Sequence, residues 1–485
     1  MFSPWLLISM VLAGLALLVT LLLGCQSWEL RRFARGRLHG SLLRANQGPE
    51  ESVASHCRSD SGRSAERHGG IEARPRIALF SPCKGIDVGL QENLRPLFGQ
   101  DYGNYELVFI VESDRDPACP IIQELIAEFP DVDSRLVVAG MAVDVGQKVH
   151  NLRVATRHLA NDVEILAFVD SDARPGPSWL GDLVQQLEYP DVGITTGYRW
   201  FMPERSTLAN LLLHSINATA ASLYSPKGVN LVWGGSWAMR RDQFEQLKLR
   251  DVWDGMLTDD LVATNLVQQK KLRVEFEPAC MLASPIDLSF REMFDFLRRQ
   301  YMIGWHYMPG LWAVTLLATT IMTLGFWAAL ATSAGAFVMR ADWAWIPASA
   351  SAALYLCGMF RAALRRDLAE LYFPGRRRAL TRAIRFDILA TPLATLVNWA
   401  AILSTVGARH FRWRGITYQL LPNGMTRIVF QQEKSGMRIV HWPEDSLTTG
   451  AQDRQPSSDL PSDGRLASPQ PTVNQWAAGV SSRAA

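Results

Sequence analysis

The chain has 485 residues, a formal net charge of +2 and a hydrophobic share of 48%, room by length for roughly two to four ordinary domains. So small a net charge gives no electrostatic case for nucleic acid as a partner. Its six cysteines, Cys25, Cys57, Cys83, Cys119, Cys280 and Cys357, lie far apart without CxxC spacing, which argues against a structural zinc site or a disulfide framework and suits a reducing compartment.

The first element is the uncharged run Leu6–Leu23. It reads as an uncleaved membrane anchor over residues 1–25, because no Lys or Arg precedes it while Arg31, Arg32, Arg35 and Arg37 follow it. Basic residues on that side place Met1 outside and the following chain in the cytoplasm. Residues 26–74, basic and then rich in Ser, Gly, Arg and Glu, are expected to be a flexible tether.

From residue 75 to 308 no comparable apolar run occurs, and strands alternate with helices. Strands are predicted at Arg76–Ser81, Tyr105–Val111, Arg135–Ala139, Val163–Val169 and Val192–Thr196, with helices at Leu90–Leu97, Ile121–Phe129, Lys148–Leu159 and Trp179–Leu187. That order implies an α/β domain with a mostly parallel sheet covered on both faces. Ligands bind such sheets beyond the carboxyl ends of the strands, so Ser81, Glu112 and Asp170 are expected along one edge. Asp170-Ser171-Asp172 follows directly on the apolar run Val163–Val169, and two carboxylates one residue apart at that edge suit a hard divalent cation carrying a diphosphate.

Four further features allow two readings each. Asp259 and Asp260 serve either as the cap of a helix beginning at Leu261 or as chemistry. Lys148 is either a solvated helix residue or a site cation. Arg298 and Arg299 suit interfacial anchoring as well as ligand binding. Trp200, Trp233 and Trp237 suit a core as well as an acceptor site. His150 and His306 have no partner at ligand spacing.

Residues 309–425 read as a C-terminal membrane region. Leu311–Gly335 and Trp343–Phe360 form an apolar hairpin about Arg340 and Asp342, and the basic stretch holding Arg365, Arg366 and Arg376-Arg377-Arg378 is placed at the membrane surface. Ile388–Gly407 is interrupted by Pro392, carries Asn398 and is followed by Arg409, Arg412 and Arg414. With basic residues on both flanks it is expected to be re-entrant or interfacial rather than a full fourth span. Residues 444–485 read as a disordered tail.

Several motifs in order carry a resemblance: SPCKG from Ser81, ENLRPLF from Glu92, DYGNYELVFIVESDRDPA from Asp101, KVHNL from Lys148, DSDARP from Asp170, LTDD from Leu257 and RRQYMIGW from Arg298. Over roughly residues 5–425 the chain resembles membrane-bound inverting glycosyltransferases of family 2, and most of all the ceramide glucosyltransferase branch, family 21. The resemblance implies a GT-A fold, with Ser81, Lys84, Glu112, Asp116 and Lys148 near the nucleotide-sugar. It assigns Asp170 and Asp172 to the diphosphate and its Mn²⁺ or Mg²⁺, and Asp260, beside Asp259, to the general base. Arg298, Arg299, Gln300 and Trp305 would lie over the diphosphate and the acceptor mouth. With Trp305 fixed, Tyr301 and Gly304 stand where the family's (Q/R)xxRW motif has its Q/R and Arg, and Arg299-Gln300 would supply the charge from a shifted register. The implied reaction moves a hexose, glucose first, from a UDP-sugar to the hydroxyl of a membrane lipid such as a ceramide or hopanoid. Separately, a bacterial inner membrane is the expected location, with the catalytic domain in the cytoplasm. A processive polysaccharide synthase and a catalytically degenerate scaffold are the alternatives.

Overall fold

The computed structural model describes residues 4–46, 74–87, 89–422, 424–433 and 436–439. Its centre is a seven-stranded sheet in the order β3-β2-β1-β4-β6-β5-β7, formed by β1 (Arg76–Pro82), β2 (Tyr105–Val111), β3 (Ser134–Val138), β4 (Val163–Val169), β5 (Val192–Pro203), β6 (Ser236–Arg240) and β7 (Arg273–Ile286). Neighbours are parallel except where β6 runs antiparallel to both β4 and β5. The expected mostly parallel sheet is present.

Side chains of β1, β2 and β4 alternate between two cores. Ala78, Phe80, Val108, Ile110, Leu166 and Phe168 enter one, while Ile77, Leu79, Leu107, Phe109, Val111, Ile165 and Ala167 enter the other. Burial on both faces is why these strands read as continuous apolar runs. The reversed strand β6 has a direct consequence for the site. It begins beside the carboxyl end of β4, where the Asp170 N–H donates to the Gly235 carbonyl at 3.3 Å. Gly234 and Gly235 therefore lie against the acidic pair.

Outside the sheet the structure corrects two expectations. The first concerns the tether. One helix runs Pro4–Asn46, so residues 26–46 continue the anchor helix. Leu30 and Ala34, one helical turn apart, are fully buried in a cluster with Trp200, Met202, Phe276 and Leu368. Arg37 adds an ion pair to Glu275 at 3.1 Å. Side-chain docking thus orders residues whose composition suggested a tether. The rest of the expected tether, residues 47–73, and the expected tail, 444–485, lie outside the described residues.

The second concerns residues 410–425, expected in the membrane region. They contribute to a four-stranded antiparallel sheet, β11-β10-β9-β8, of β8 (His410–Trp413), β9 (Ile416–Leu420), β10 (Thr426–Glu433) and β11 (Gly436–Ile439). Arg414 and Gly415, both at positive φ (46° and 79°), make the two-residue turn between β8 and β9, as a type I′ hairpin requires. Phe411, Ile416, Tyr418 and Leu420 join the same core as Phe168 and Trp237. Apolar alternation buries one face of this hairpin on the α/β domain.

Among the described residues two helices are long and apolar enough to cross a membrane, the N-terminal one over Pro4–Gly40 and a second at Pro309–Val338. The second arm of the expected hairpin forms as the helix Trp345–Tyr372, which carries Ser349, Ser351, Tyr355 and Arg361 among its apolar residues and packs through Leu354 on Ala329 and Ala16. Arg377–Leu389 and Thr391–Leu403 meet at 82°. The break falls at Pro392, which lacks the N–H that would continue the helix, and its form is that of a broken span or a re-entrant segment.

Candidate active site

The carboxyl ends of β2, β1 and β4 are adjacent, and the acids that follow them gather at one edge. Lys84 pairs with Glu112. Asp116 accepts the Gly85 N–H (2.9 Å) and the Ala118 N–H (2.9 Å), which fixes the turn after β1 to the turn after β2. Ser81 is fully buried with its Oγ unpartnered among the described residues, so it lies beneath the site.

Lys148, near the start of the helix Gln147–Ala155, is the hub. Its Nζ meets Asp170 Oδ1 at 2.8 Å, Asp259 Oδ1 at 3.2 Å and the Gly234 carbonyl at 2.9 Å. The solvated-helix reading of Lys148 does not hold. Burial alone would lower its pKa, but Asp170, Asp259 and Asp260 together hold the ammonium above its usual range. The same contact works in reverse on Asp170: burial pushes its carboxyl up, and Lys148 more than offsets this to leave it low. Burial keeps Asp172 raised against the opposing pull of Arg199, whose Nη1 lies 3.4 Å from Asp172 Oδ2.

Asp259 and Asp260 have different surroundings. Asp259 occupies the N-cap position of the helix Asp260–Gln269 yet makes no side-chain cap bond. It accepts from Trp237 Nε1 at 3.3 Å and faces Lys148, and burial pushes it up to about 6. Asp260 accepts from the Gly234 N–H at 2.8 Å, the Leu261 N–H at 2.7 Å and the Thr258 hydroxyl. A Cβ at Gly234 would stand 2.8 Å from Lys148 Nζ and 3.0 Å from Asp260 Oδ2, so a larger residue there displaces the ends of these two site side chains.

The helix Phe290–Tyr307 begins with a capping box between Ser289 and Glu292 and closes the other side. Arg299, Gln300 and Trp305 line the central cavity. Arg298, a helical step of about 100° from Arg299, turns away, with its Nε 3.4 Å from the Ser404 carbonyl. Arg299 stacks between Phe296 and Trp413 (both 5.3 Å), and burial, then Arg199 and Arg414, pull it down to about 10. Tyr301 and Gly304, the departures from the motif, also line the cavity, and Tyr301 donates to Asn398.

Two contributors were not singled out in the sequence. Arg199 on β5 stacks on Trp233 at 5.1 Å and has no motif to mark it. Arg414, noted only as part of the basic run after Ile388–Gly407, reaches from the β8–β9 turn to the Lys84 carbonyl and to Asp87 Oδ1 (2.6 Å), and Asp87 in turn accepts from Ser171 Oγ at 2.8 Å. Alternating Phe411, Trp413, Ile416 and Tyr418 about Arg-Gly was the available signal. Of the tryptophans, Trp200 and Trp237 are core residues, and Trp233 lines the cavity.

The cavity, about 1900 Å³, is continuous. It includes Lys84, Lys148, Asp170, Asp172, Asp259 and Asp260 at one end and reaches Leu311, Thr315, Met322 and Trp327 of the helix Pro309–Val338.

The profile described as Glycosyl transferase family 21 matches residues 52–431. The chain belongs to glycosyl transferase family 21. Among curated relatives it is similar to Ceramide glucosyltransferase 1 of Caenorhabditis elegans, 30% identical over 17% of this chain and 18% of the relative. It is also similar to the Ceramide glucosyltransferase of Gibberella zeae, 29% identical over 23% of each chain. The aligned segments thus span less than a quarter of these relatives' lengths. Among solved structures, the mannosyltransferase PcManGT from Pyrobaculum calidifontis, in complex with GDP-Man and Mn²⁺, has a TM-score of 0.45 at 16% identity, covering 81% of this chain and 99% of its own. The matched region takes in the seven-stranded α/β domain and the apolar helix Pro309–Val338, while the N-terminal apolar helix begins before it; both helices are long enough to cross a membrane.

Proposed function

We propose that this family 21 protein transfers a hexose, glucose first, from a UDP-sugar to the hydroxyl of a membrane lipid such as a ceramide, with inversion at the anomeric carbon. The observation that supports this most is the single cavity joining the carboxylates at the sheet edge to the apolar helix Pro309–Val338. A lipid entering along that helix presents its head group to Asp260 while its tails stay among apolar side chains. The catalytic domain then faces the cytoplasm of a bacterial inner membrane, as the basic residues after the first apolar run suggest.

In the proposed reaction the acceptor oxygen attacks the anomeric carbon as its proton passes to Asp260, and the bond from that carbon to the diphosphate breaks. One displacement on one face inverts the centre, so an α-linked donor gives a β-glycoside. Asp260 suits the base because it lines the cavity, and Gly234, Leu261 and Thr258 fix its carboxylate. Lys148 holds Asp170 and Asp259 apart and in place. Arg199, Arg299 and Arg414 supply the positive charge that a departing diphosphate needs, in place of the motif arginine that Gly304 replaces.

Asp170 and Asp172 are the residues to hold a divalent ion. Among the described residues no group of three or more His, Cys, Asp and Glu is close enough to form a cage. Two carboxylates lining an open cavity do fit an ion that takes its other ligands from phosphate and water. Such an ion, when bound, neutralises charge on the diphosphate.

The test is UDP release by the detergent-purified protein with Mn²⁺ or Mg²⁺, offering UDP-glucose, UDP-galactose or UDP-N-acetylglucosamine with membrane lipids. Lipid-dependent release with one donor is expected. Asp260→Asn should lower turnover on the order of 10²–10⁴-fold while UDP-sugar binding stays intact. Equal loss of binding and turnover removes the base assignment, and no release with any donor removes the reaction.

A further inference from the structure

Beyond the reaction site, the cavity contains a buried cation that the transfer chemistry leaves unused. Arg361, on the helix Trp345–Tyr372, is 5% exposed and lines the cavity. Its Nε and Nη2 are buried without a hydrogen-bond partner among the described residues. One turn further on, Arg365 forms a bidentate pair with Asp387 (Nη2–Oδ1 2.8 Å, Nε–Oδ2 2.9 Å), and both are buried. That carboxylate already has both oxygens engaged. Two guanidiniums against one carboxylate leave a net charge of +1 on this wall of the cavity.

A second polar group faces the same place. Thr391, at the 82° bend between Arg377–Leu389 and Thr391–Leu403, lines the cavity with its Oγ1 buried and unpartnered. Gly358 lies one turn before Arg361 and is packed against it: a Cβ there would lie 3.1 Å from Thr391 Oγ1. Donors from two helices thus converge on one part of the cavity. Apolar residues surround them, with Leu354 and Ala394 adjacent and Phe326 and Trp327 lining the cavity on the helix Pro309–Val338.

Arginine stays charged when buried, and an unpaired charge away from water is costly. An ionisable residue among membrane helices therefore calls for a partner. The rigid fork of a guanidinium matches the oxygens of a phosphate. We propose that Arg361, with Thr391, binds the headgroup phosphate of an anionic membrane lipid, whose acyl chains lie along the apolar wall. Free phosphate matches the donors but leaves that wall uncovered. The site is independent of the transferase reading, since neither the donor nor Asp260 takes part in it.

The experiment is thermal unfolding of the full-length protein in detergent, without donor, on adding phosphatidylglycerol, phosphatidylcholine with the same acyl chains, or inorganic phosphate. Phosphatidylglycerol is expected to raise the wild-type midpoint by several degrees more than phosphatidylcholine, with most of that difference lost in Arg361→Gln and partly kept in Arg361→Lys. Thr391→Val, which leaves every charge in place, should reduce the difference and serves if Arg361→Gln does not fold. An equal response of wild type and these variants to phosphatidylglycerol overturns the proposal, as does an equal response to the two lipids. A shift of the same size from inorganic phosphate makes the site one for free anions and overturns the lipid assignment.

Discussion

Lys148 links three parts of the chain that are distant in sequence: the acid after β4, the acid before the helix Asp260–Gln269 and the carbonyl before β6. One ammonium among three carboxylates lets groups that would repel one another share one site. Arg414 does comparable work from outside the main sheet, clamping the turn after β1 through the Lys84 carbonyl and Asp87. Replacing Arg414 with Ala should raise the donor KM about tenfold, equivalent to roughly 1.4 kcal/mol, with a smaller change in kcat, as steady-state kinetics with the identified donor would read. Asp170 and Asp172 were legible because an apolar strand running into two acids is a local signal. Lys148 was named through the KVHNL motif, but its neighbours within the helix do not reveal which way it faces, so its contacts with Asp170, Asp259 and Gly234 were not legible. Arg414 was passed over because it stood in a basic run after an apolar segment, where nothing local sets it apart from Arg409 and Arg412.

At the scale of elements, the helix Phe290–Tyr307 ties the α/β domain to the small antiparallel sheet through its last residue. The Tyr307 hydroxyl accepts the Leu257 N–H at 2.8 Å and donates to the Gly424 carbonyl at 2.9 Å, so the loop carrying Asp259 and Asp260 is held from both sides. Tyr307→Phe leaves both backbone groups without that partner in a buried place, and should cost about 2 kcal/mol of stability. A lower thermal midpoint, with turnover falling more than donor binding, is the expected result. The strands Tyr105–Val111 and Val163–Val169 were readable to their ends because both their faces are buried. Two strands of the main sheet escaped, for different reasons. β6, Ser-Trp-Ala-Met-Arg, is too short and mixed to show a period, and β7 follows a helix with no sharp change in composition.

Across the whole molecule, the α/β domain and the apolar helices share cavity walls and cores, and the N-terminal helix belongs to both. Its apolar half leans on the helix Pro309–Val338, where a Cβ on Gly325 would lie 2.6 Å from Ala16 Cβ. Its other half docks Leu30 and Ala34 into the cluster around Trp200. This continuity was invisible to composition, which changes abruptly after Leu23 while the backbone does not. Of the membrane features, the break at Pro392 was the most legible, since proline marks it directly.

An unbroken helix of 43 residues is a rod roughly 65 Å long, and a rod fixed at both ends works as a gauge. In the proposed reading it sets the height of the site carboxylates above the lipid and, because each residue also turns the rod, their compass bearing. The two settings can be varied separately. Inserting two residues after Gly24 swings the Leu30–Ala34 face by about 200° and lengthens the rod by only about 3 Å, while seven residues restore the face to within about 20° and add about 10 Å. The shorter insertion should undock the helix and lower the thermal midpoint. The longer one should keep the midpoint and slow transfer to lipid selectively, with UDP-sugar binding unchanged. An active enzyme with the longer insertion would show that the acceptor comes to the site by its own reach, and that the rod sets orientation alone.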